Sequence, residues 1–200
     1  MPAQELALFQ TNLNFARGMT ATAAALQAQL TGAMDVSDFL RAGLVQGVSA
    51  FDHFIHEEVR VRMLALSTTP ANAWPNGFTR FRVSLQSVDL ALSGSGSNWL
   101  EDEIRLQHGF LSFQHPDKVA DALRLVSDVQ LWPAVATQLG RTPADVKTRL
   151  NLIIDRRNKI AHEADMDPTP PRVRYPITRT LVDDSLDFLE DITKTIVAVT

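Results

Sequence analysis

Phe39-Leu-Arg-Ala-Gly-Leu-Val-Gln-Gly-Val-Ser-Ala-Phe-Asp-His-Phe-Ile-His-Glu-Glu-Val-Arg-Val-Arg-Met63 places Phe39, Leu40, Leu44, Val48, Phe51, Ile55, Val59 and Met63 at three- and four-residue intervals. That spacing lays them along one stripe of a helix, and it lacks the alternation of a half-buried strand. Asp35 or Ser37 supplies a capping side chain ahead of it. Gly43, Gly47, Ser49 and Ala50 line part of the same helix with small residues, so another helix can approach closely. Core packing accounts for them.

Upstream, Leu6, Phe9, Leu13 and Ala16 lead into an alanine-rich run ending at Leu26 and Leu30. They predict a helix over 4–30 that stops at Gly32. Downstream, Pro70, Pro75, Asn76 and Gly77 make a loop of Ser67 to Gly77. Thr79 to Leu92 reads as helix, although Phe81, Val83 and Leu85 also fit strand alternation. Ser93-Gly-Ser-Gly-Ser97 is a flexible joint; it lacks the Gly-Lys-Ser/Thr of a phosphate loop.

Asn98 caps a short helix to about Phe113, and Pro116 or Asp117 opens the next, to about Asp128. Leu131 to Leu139 is a further short helix before Gly140. Thr142-Pro143 is a strong start, a capping hydroxyl with proline at the first helical position, and Asp145 complements the dipole. Val146, Leu150, Ile153, Ile154 and Ile160 or Ala161 give the stripe, and Pro168, Pro170, Pro171 and Pro176 end this helix near Glu163 to Asp165. A last helix, about Thr178 to Val199, carries Leu181, Val182, Leu186, Leu189, Ile192, Ile196 and Val199. The fold class is therefore all-α, a bundle of about four long helices with shorter ones inserted. One domain over 1–200 is expected, with the helix at 4–30 packed on or extending a core of about 35–199.

Composition narrows the function classes. Apolar residues make up 45% and charged residues 21%, values of an ordinary globular protein. Cysteine is absent, which excludes disulfides and thiolate metal sites and permits a cytoplasmic location, the one expected here. No apolar run is long enough to span a membrane, and Met1-Pro-Ala-Gln-Glu-Leu6 lacks the pattern of a secretory signal. The formal charge of −4 argues against broad nucleic-acid binding. Its distribution is uneven: Arg141 to Arg179 holds nine Lys/Arg against five Asp/Glu, a local +4. A phosphate-bearing ligand would be drawn to that island.

The island contains Arg157-Asn158-Lys159-Ile160-Ala161-His162. Histidine titrates near neutrality and serves as base or acid, and arginine offers planar bidentate hydrogen bonds to phosphate. Together they suit RNA cleavage by internal transfer, in which a 2′-hydroxyl loses a proton and a 5′-oxygen gains one. Positions five apart on a straight helix are rotated by roughly 140°, so Arg157 and His162 do not share a face, whereas Asn158 and His162 do. Either the helix loosens just before His162, or two copies of the helix meet and share a cleft. Cations at a helix C-terminus, favoured by the dipole, are the plainer reading of the same residues.

Arg157-Asn158-x-x-x-His162 resembles the Arg-x4–6-His motif of the HEPN superfamily. The flanking Asp155-Arg156-Arg157-Asn158-Lys159-Ile160-Ala161-His162-Glu163-Ala164-Asp165 is similar to the RiboL-PSP-HEPN branch, and so is Val48-Ser-Ala-Phe-Asp-His-Phe-Ile-His-Glu-Glu-Val59. The likeness spans roughly residues 35 to 195. It implies a helical bundle that dimerises with its motif helices facing, and a metal-independent ribonuclease leaving 2′,3′-cyclic phosphate ends. Such proteins commonly act in toxin–antitoxin, anti-phage or RNA-processing systems, so RNA and an antitoxin protein are implied partners and no cofactor is. The resemblance also admits non-catalytic scaffolds. By position it makes Arg157 and His162 catalytic, with Asn158 orienting or contacting RNA. Arg156 and Lys159 beside them, and Arg172 and Arg174 beyond, are further candidates for RNA contact. Asp52 or Glu57 is expected to pair with Arg157 or orient His162.

His53 and His56, followed by Glu57 and Glu58, resemble part of a metal site and the basis of a metal-dependent hydrolase, but no third ligand is evident. His108 and His115 have no partner at a telling distance and read as structural. Trp74, Trp99 and Trp132 suit the edge of a core better than base stacking. Arg179 joins Arg172 and Arg174 as a phosphate candidate.

Overall fold

The computed structural model describes residues 2–29, 35–94 and 98–200. The predicted stop at Leu30 to Gly32 and the centre of the Ser93–Ser97 joint lie outside the described residues. Among those described, the elements are helical: α1 (Pro2–Gln29), α2 (Ser37–Ser67), a 3-10 turn (Ala71–Ala73), α3 (Asn76–Thr79), α4 (Leu85–Ser93), α5 (Trp99–His108), α6 (Pro116–Leu123), α7 (Leu131–Gln138), α8 (Pro143–His162) and α9 (Arg179–Val199). The only pairing of strand type among them is an isolated bridge between Met166 and Arg174. The all-α expectation holds, with α1, α2, α8 and α9 as the four long helices and the short ones inserted between α2 and α8.

The stripe that opened the sequence reading is the centre of the core. Leu44, Val48, Phe51, Ile55, Val59 and Met63 are fully buried, and α2 packs against α1, α8, α9, α5 and α6. Its small residues serve two different neighbours. A Cβ on Gly43 would sit 3.1 Å from the Ala16 carbonyl of α1, and one on Gly47 would come within 2.2 Å of Leu186 Cδ2 on α9. Glycine therefore sets how closely α1 and α9 approach α2. Phe39, by contrast, is partly exposed, on the rim of the stripe.

Caps set several boundaries. The Thr142 hydroxyl accepts the Asp145 N–H at the head of α8, and the Thr178 hydroxyl accepts from Leu181 N–H at the head of α9. At α2 the Asp35 carboxylate accepts the Ser37 N–H, while Val36 takes the capping position.

The middle of the chain departs from expectation. Residues 81–84 are not helical: Ser84 caps α4, and Glu103 on α5 accepts from the Ser84 backbone and hydroxyl and from the Ser87 hydroxyl. α5 stops at His108, five residues before the expected Phe113, because the Phe113 N–H donates to Asp52 Oδ1 on α2 at 2.6 Å. α6 stops at Leu123, short of Asp128. Of the tryptophans, Trp132 is buried with its indole N–H on the Pro116 carbonyl, and Trp74 bonds to the Leu66 carbonyl.

Candidate functional site

α8 brings the motif to the surface because its buried stripe runs out. Val146, Leu150, Ile153 and Ile154 are buried, Arg157 and Asn158 are half-buried, and Ala161 and His162 are exposed. α8 remains helical through His162, its last residue, so it does not loosen just before His162. The roughly 140° between Arg157 and His162 therefore stands, and one protomer does not stack the two on one face.

What ends the helix is a buried ion cluster. The Asp165 N–H and the Glu163 N–H both donate to the Lys159 carbonyl, while Ala164 and Asp165 adopt left-handed backbone with φ of 51° and 57°. This turn swings the Asp165 carboxylate under the helix, where it has no solvent exposure. Asp165 Oδ2 accepts from Arg41 Nε of α2 at 2.7 Å and from Arg156 Nη2 at 2.8 Å. Arg41 and Arg156 also donate to the Tyr175 carbonyl, and Arg156 to that of Pro176, which fastens the proline-rich segment to α2 and α8. Neither Arg41 nor Asp165 was singled out in the sequence. Their signal lay in contact partners more than a hundred residues apart, which no local pattern carries.

The candidate RNA contacts therefore divide. Arg156 is tied into this cluster, and Arg174 donates to Asp38 at 2.5 Å and to the Ala164 carbonyl. Lys159 Nζ lies 4.7 Å from the centroid of the Tyr175 ring, a cation–π contact, and its charge adds to the Thr169 hydrogen bonds that lower the Asp167 pKa. Arg172 is exposed, with left-handed backbone at φ 60°. Arg179 pairs with Asp183. Arg157 donates one hydrogen bond, from Nη1 to Asn158 Oδ1 at 3.0 Å, and its buried Nε has no partner among the described residues. No ion pair to Arg157 or His162 occurs among those residues. Asn158 and Lys159 border an open trough of about 540 Å3 that also includes Leu152, Asp155 and Glu163.

Asp52 and Glu57 are not the support expected for this motif. Asp52 accepts from Phe113 N–H and from Gln114 Nε2, and lies 3.8 Å from His56 Nε2. Glu57 accepts from Arg60, and although burial opposes ionisation, the hydrogen bonds and charge of Arg60 hold its carboxyl below the usual range. Asp52 holds the segment after α5, and Glu57 pairs with Arg60 of its own helix, with Arg105 of α5 3.8 Å away.

His53 is exposed and His56 half-buried, and no group of three or more His, Asp or Glu residues arranged for a metal ion occurs among the described residues. His115 is exposed, its Nδ1 3.4 Å from Asn151 Oδ1. His108 is buried, with its ring edge-on to Phe81 and Phe113. Burial, aided by the nearby His56, pushes its pKa down. No helix among the described residues is long and apolar enough to cross a membrane.

No family model, curated protein or solved structure matches this chain.

Proposed function

We propose that the chain is a metal-independent endoribonuclease of HEPN type that acts as a homodimer through α8. The observation that carries the reading is Arg157. It is half-buried, five residues before an exposed histidine in the basic island, yet among the described residues its only hydrogen bond is to its neighbour Asn158. An arginine kept in place without a carboxylate is ready for an oxyanion. Leu152 of the same helix and Leu181 of α9, both exposed, border one trough, where a second copy would dock.

In the dimer, His162 of one copy takes the proton of the ribose 2′-hydroxyl as O2′ bonds to phosphorus. Arg157 stabilises the charge on the phosphorane oxygens. The P–O5′ bond breaks as the second copy's imidazole gives its proton to O5′, leaving a 2′,3′-cyclic phosphate and a 5′-hydroxyl. Each step uses groups that one or two copies of the chain already contain. The setting proposed is cytoplasmic, in a toxin–antitoxin or anti-phage system, with a neutralising antitoxin as partner.

The test is cleavage of single-stranded RNA by the purified protein in EDTA. His162→Ala is expected to keep the thermal unfolding midpoint and lose on the order of 10²–10⁴-fold in rate. A variant that cuts as fast as the parent would overturn the mechanism. A second reading, a non-catalytic HEPN scaffold, is favoured by one feature: Asp52 and Glu57 are engaged elsewhere and no other carboxylate orients His162 among the described residues. It predicts RNA binding without cleavage, and expression without toxicity.

A further inference from the structure

A second cleft lies between α2 and α5, and none of its lining residues belongs to α8. It encloses about 190 Å3. At about 30 Å3 per water that is the space of roughly six waters, enough for a phosphate group. His56, Glu57 and Arg60 enter from α2, and Arg105 and His108 from α5.

The two imidazoles are neighbours because both rest on Phe113, with ring centroids 4.4 Å from His56 and 5.4 Å from His108. Asp52, fixed by the Phe113 N–H and the Gln114 amide, stands 3.8 Å behind His56 Nε2. His108 is 7% exposed, and its Nδ1 is sealed without a hydrogen-bond partner among the described residues. A sealed N–H is the rarer and costlier orphan, so the neutral ring carries its proton on Nε2, the nitrogen that is not sealed.

The guanidinium groups add further donors. Arg60 gives three of its five N–H groups to Glu57 and Glu101. Arg105 sends Nε and Nη2 to Glu101, and its Nη1 is 3.8 Å from Glu57, beyond hydrogen-bond length. Glu57 and Glu101 thus hold the two guanidinium groups in place, and what the lining offers a ligand is their N–H groups not given to these carboxylates, with the two imidazoles. Donors converge from two helices, which matches a tetrahedral oxyanion with acceptors in several directions better than a planar carboxylate.

We propose that this cleft is a phosphate-binding site, taking the phosphate of a free nucleotide or of an RNA strand on Arg105, His108 and His56. It is separate from the Arg157–His162 motif and does not depend on that motif's activity.

The experiment is imidazole proton–nitrogen NMR on the full chain, titrated with inorganic phosphate, adenosine monophosphate and a 2′-O-methylated oligonucleotide that resists cleavage. Inorganic phosphate is expected to move the His56 and His108 signals and to leave that of the exposed His53 in place. Arg105→Gln, at a side chain that is 54% exposed, is expected to weaken binding by roughly 10- to 100-fold. His108→Phe keeps the ring contacts, removes the donor, and is expected to weaken binding as well. Mononucleotide binding without an oligonucleotide response assigns the site to a free nucleotide; movement of the same two signals by the oligonucleotide assigns it to a strand. Unmoved His56 and His108 signals with all three ligands, or binding that survives both variants, overturn the proposal. Movement confined to His162 also overturns it, while leaving the reading of α8 intact.

Discussion

Arg156 and Arg157 are adjacent in sequence, identical in chemistry and about 100° apart around α8. That rotation separates two regions of different design. Arg156 falls on the side of α2 and the proline-rich segment, where Asp165 and the carbonyls of Tyr175 and Pro176 take its hydrogen bonds. Arg157 falls where, among the described residues, no carboxylate pairs with it, and its one bond there is to Asn158. The locked region fixes where α8 ends and so places His162. The open region holds the groups that remain for a ligand. A basic residue's role here is decided by what lies opposite it, and the density of charge along the sequence is a poor guide to it.

The largest test of this contrast falls on Asp165. Asp165→Ala leaves the buried Arg41 and the half-buried Arg156 without their shared counter-ion, at a cost of about 3–5 kcal/mol. For a chain of this size each kcal/mol lowers the thermal midpoint by roughly 2–4 °C, so circular dichroism melting is expected to fall by about 6–20 °C. Asp165→Asn tolerates the left-handed backbone, and isolates the loss of charge from the change of conformation. An alanine variant within about 1 kcal/mol of the parent would show that the cluster is not the anchor.

The arginines themselves come next. Arg156→Ala is expected to lose about 1.5–3 kcal/mol of stability, the value of a charge-assisted bond network. Arg157→Ala is expected to lose no more than about 1 kcal/mol, because one bond to a neighbouring amide is all that goes. RNA cleavage should follow the opposite order, with Arg157→Ala reduced by about 10²–10³-fold and Arg156→Ala reduced only as far as it unfolds. The same ranking in both assays would erase the distinction between the two regions.

The long helices were legible because burial imposes a period on them. Thr142, Pro143 and Asp145 marked the head of α8 through chemistry within one turn. The middle of the chain was not legible, for a physical reason. Whether residues 81–84 coil and where α5 stops depend on Glu103 accepting from Ser84, and on Asp52 accepting from Phe113. The second of these spans 61 positions. The candidate site divides in the same way. Sequence singled out the hexapeptide and its surplus of cations. It did not tell Arg156 from Arg157, since that depends on a carboxylate delivered by left-handed backbone at Ala164 and Asp165.

Buried carboxylates extend the comparison to a smaller effect. Asp165 is enclosed with two guanidinium groups; Glu58 on α2, 1% exposed, has neither oxygen hydrogen-bonded among the described residues, and Arg62 stands 3.5 Å away. Burial is the main cause that pushes the Glu58 carboxyl above its ordinary value, and the charge of Arg62 offsets it only in part. The sign follows from proton uptake. Between the unfolded value, 4.5, and the raised folded value, the native chain binds more protons than the unfolded one. The stabilising contribution of protonated Glu58 is therefore complete below the unfolded value and is lost as pH rises through the folded one. Glu58→Gln keeps the shape and removes the charge, so its thermal midpoint should exceed the parent's at neutral pH and converge on it in mild acid. A gap that stays constant across that range would mean that Glu58 is not the group responsible, and that α2 carries its buried acid as comfortably as the Asp165 cluster does.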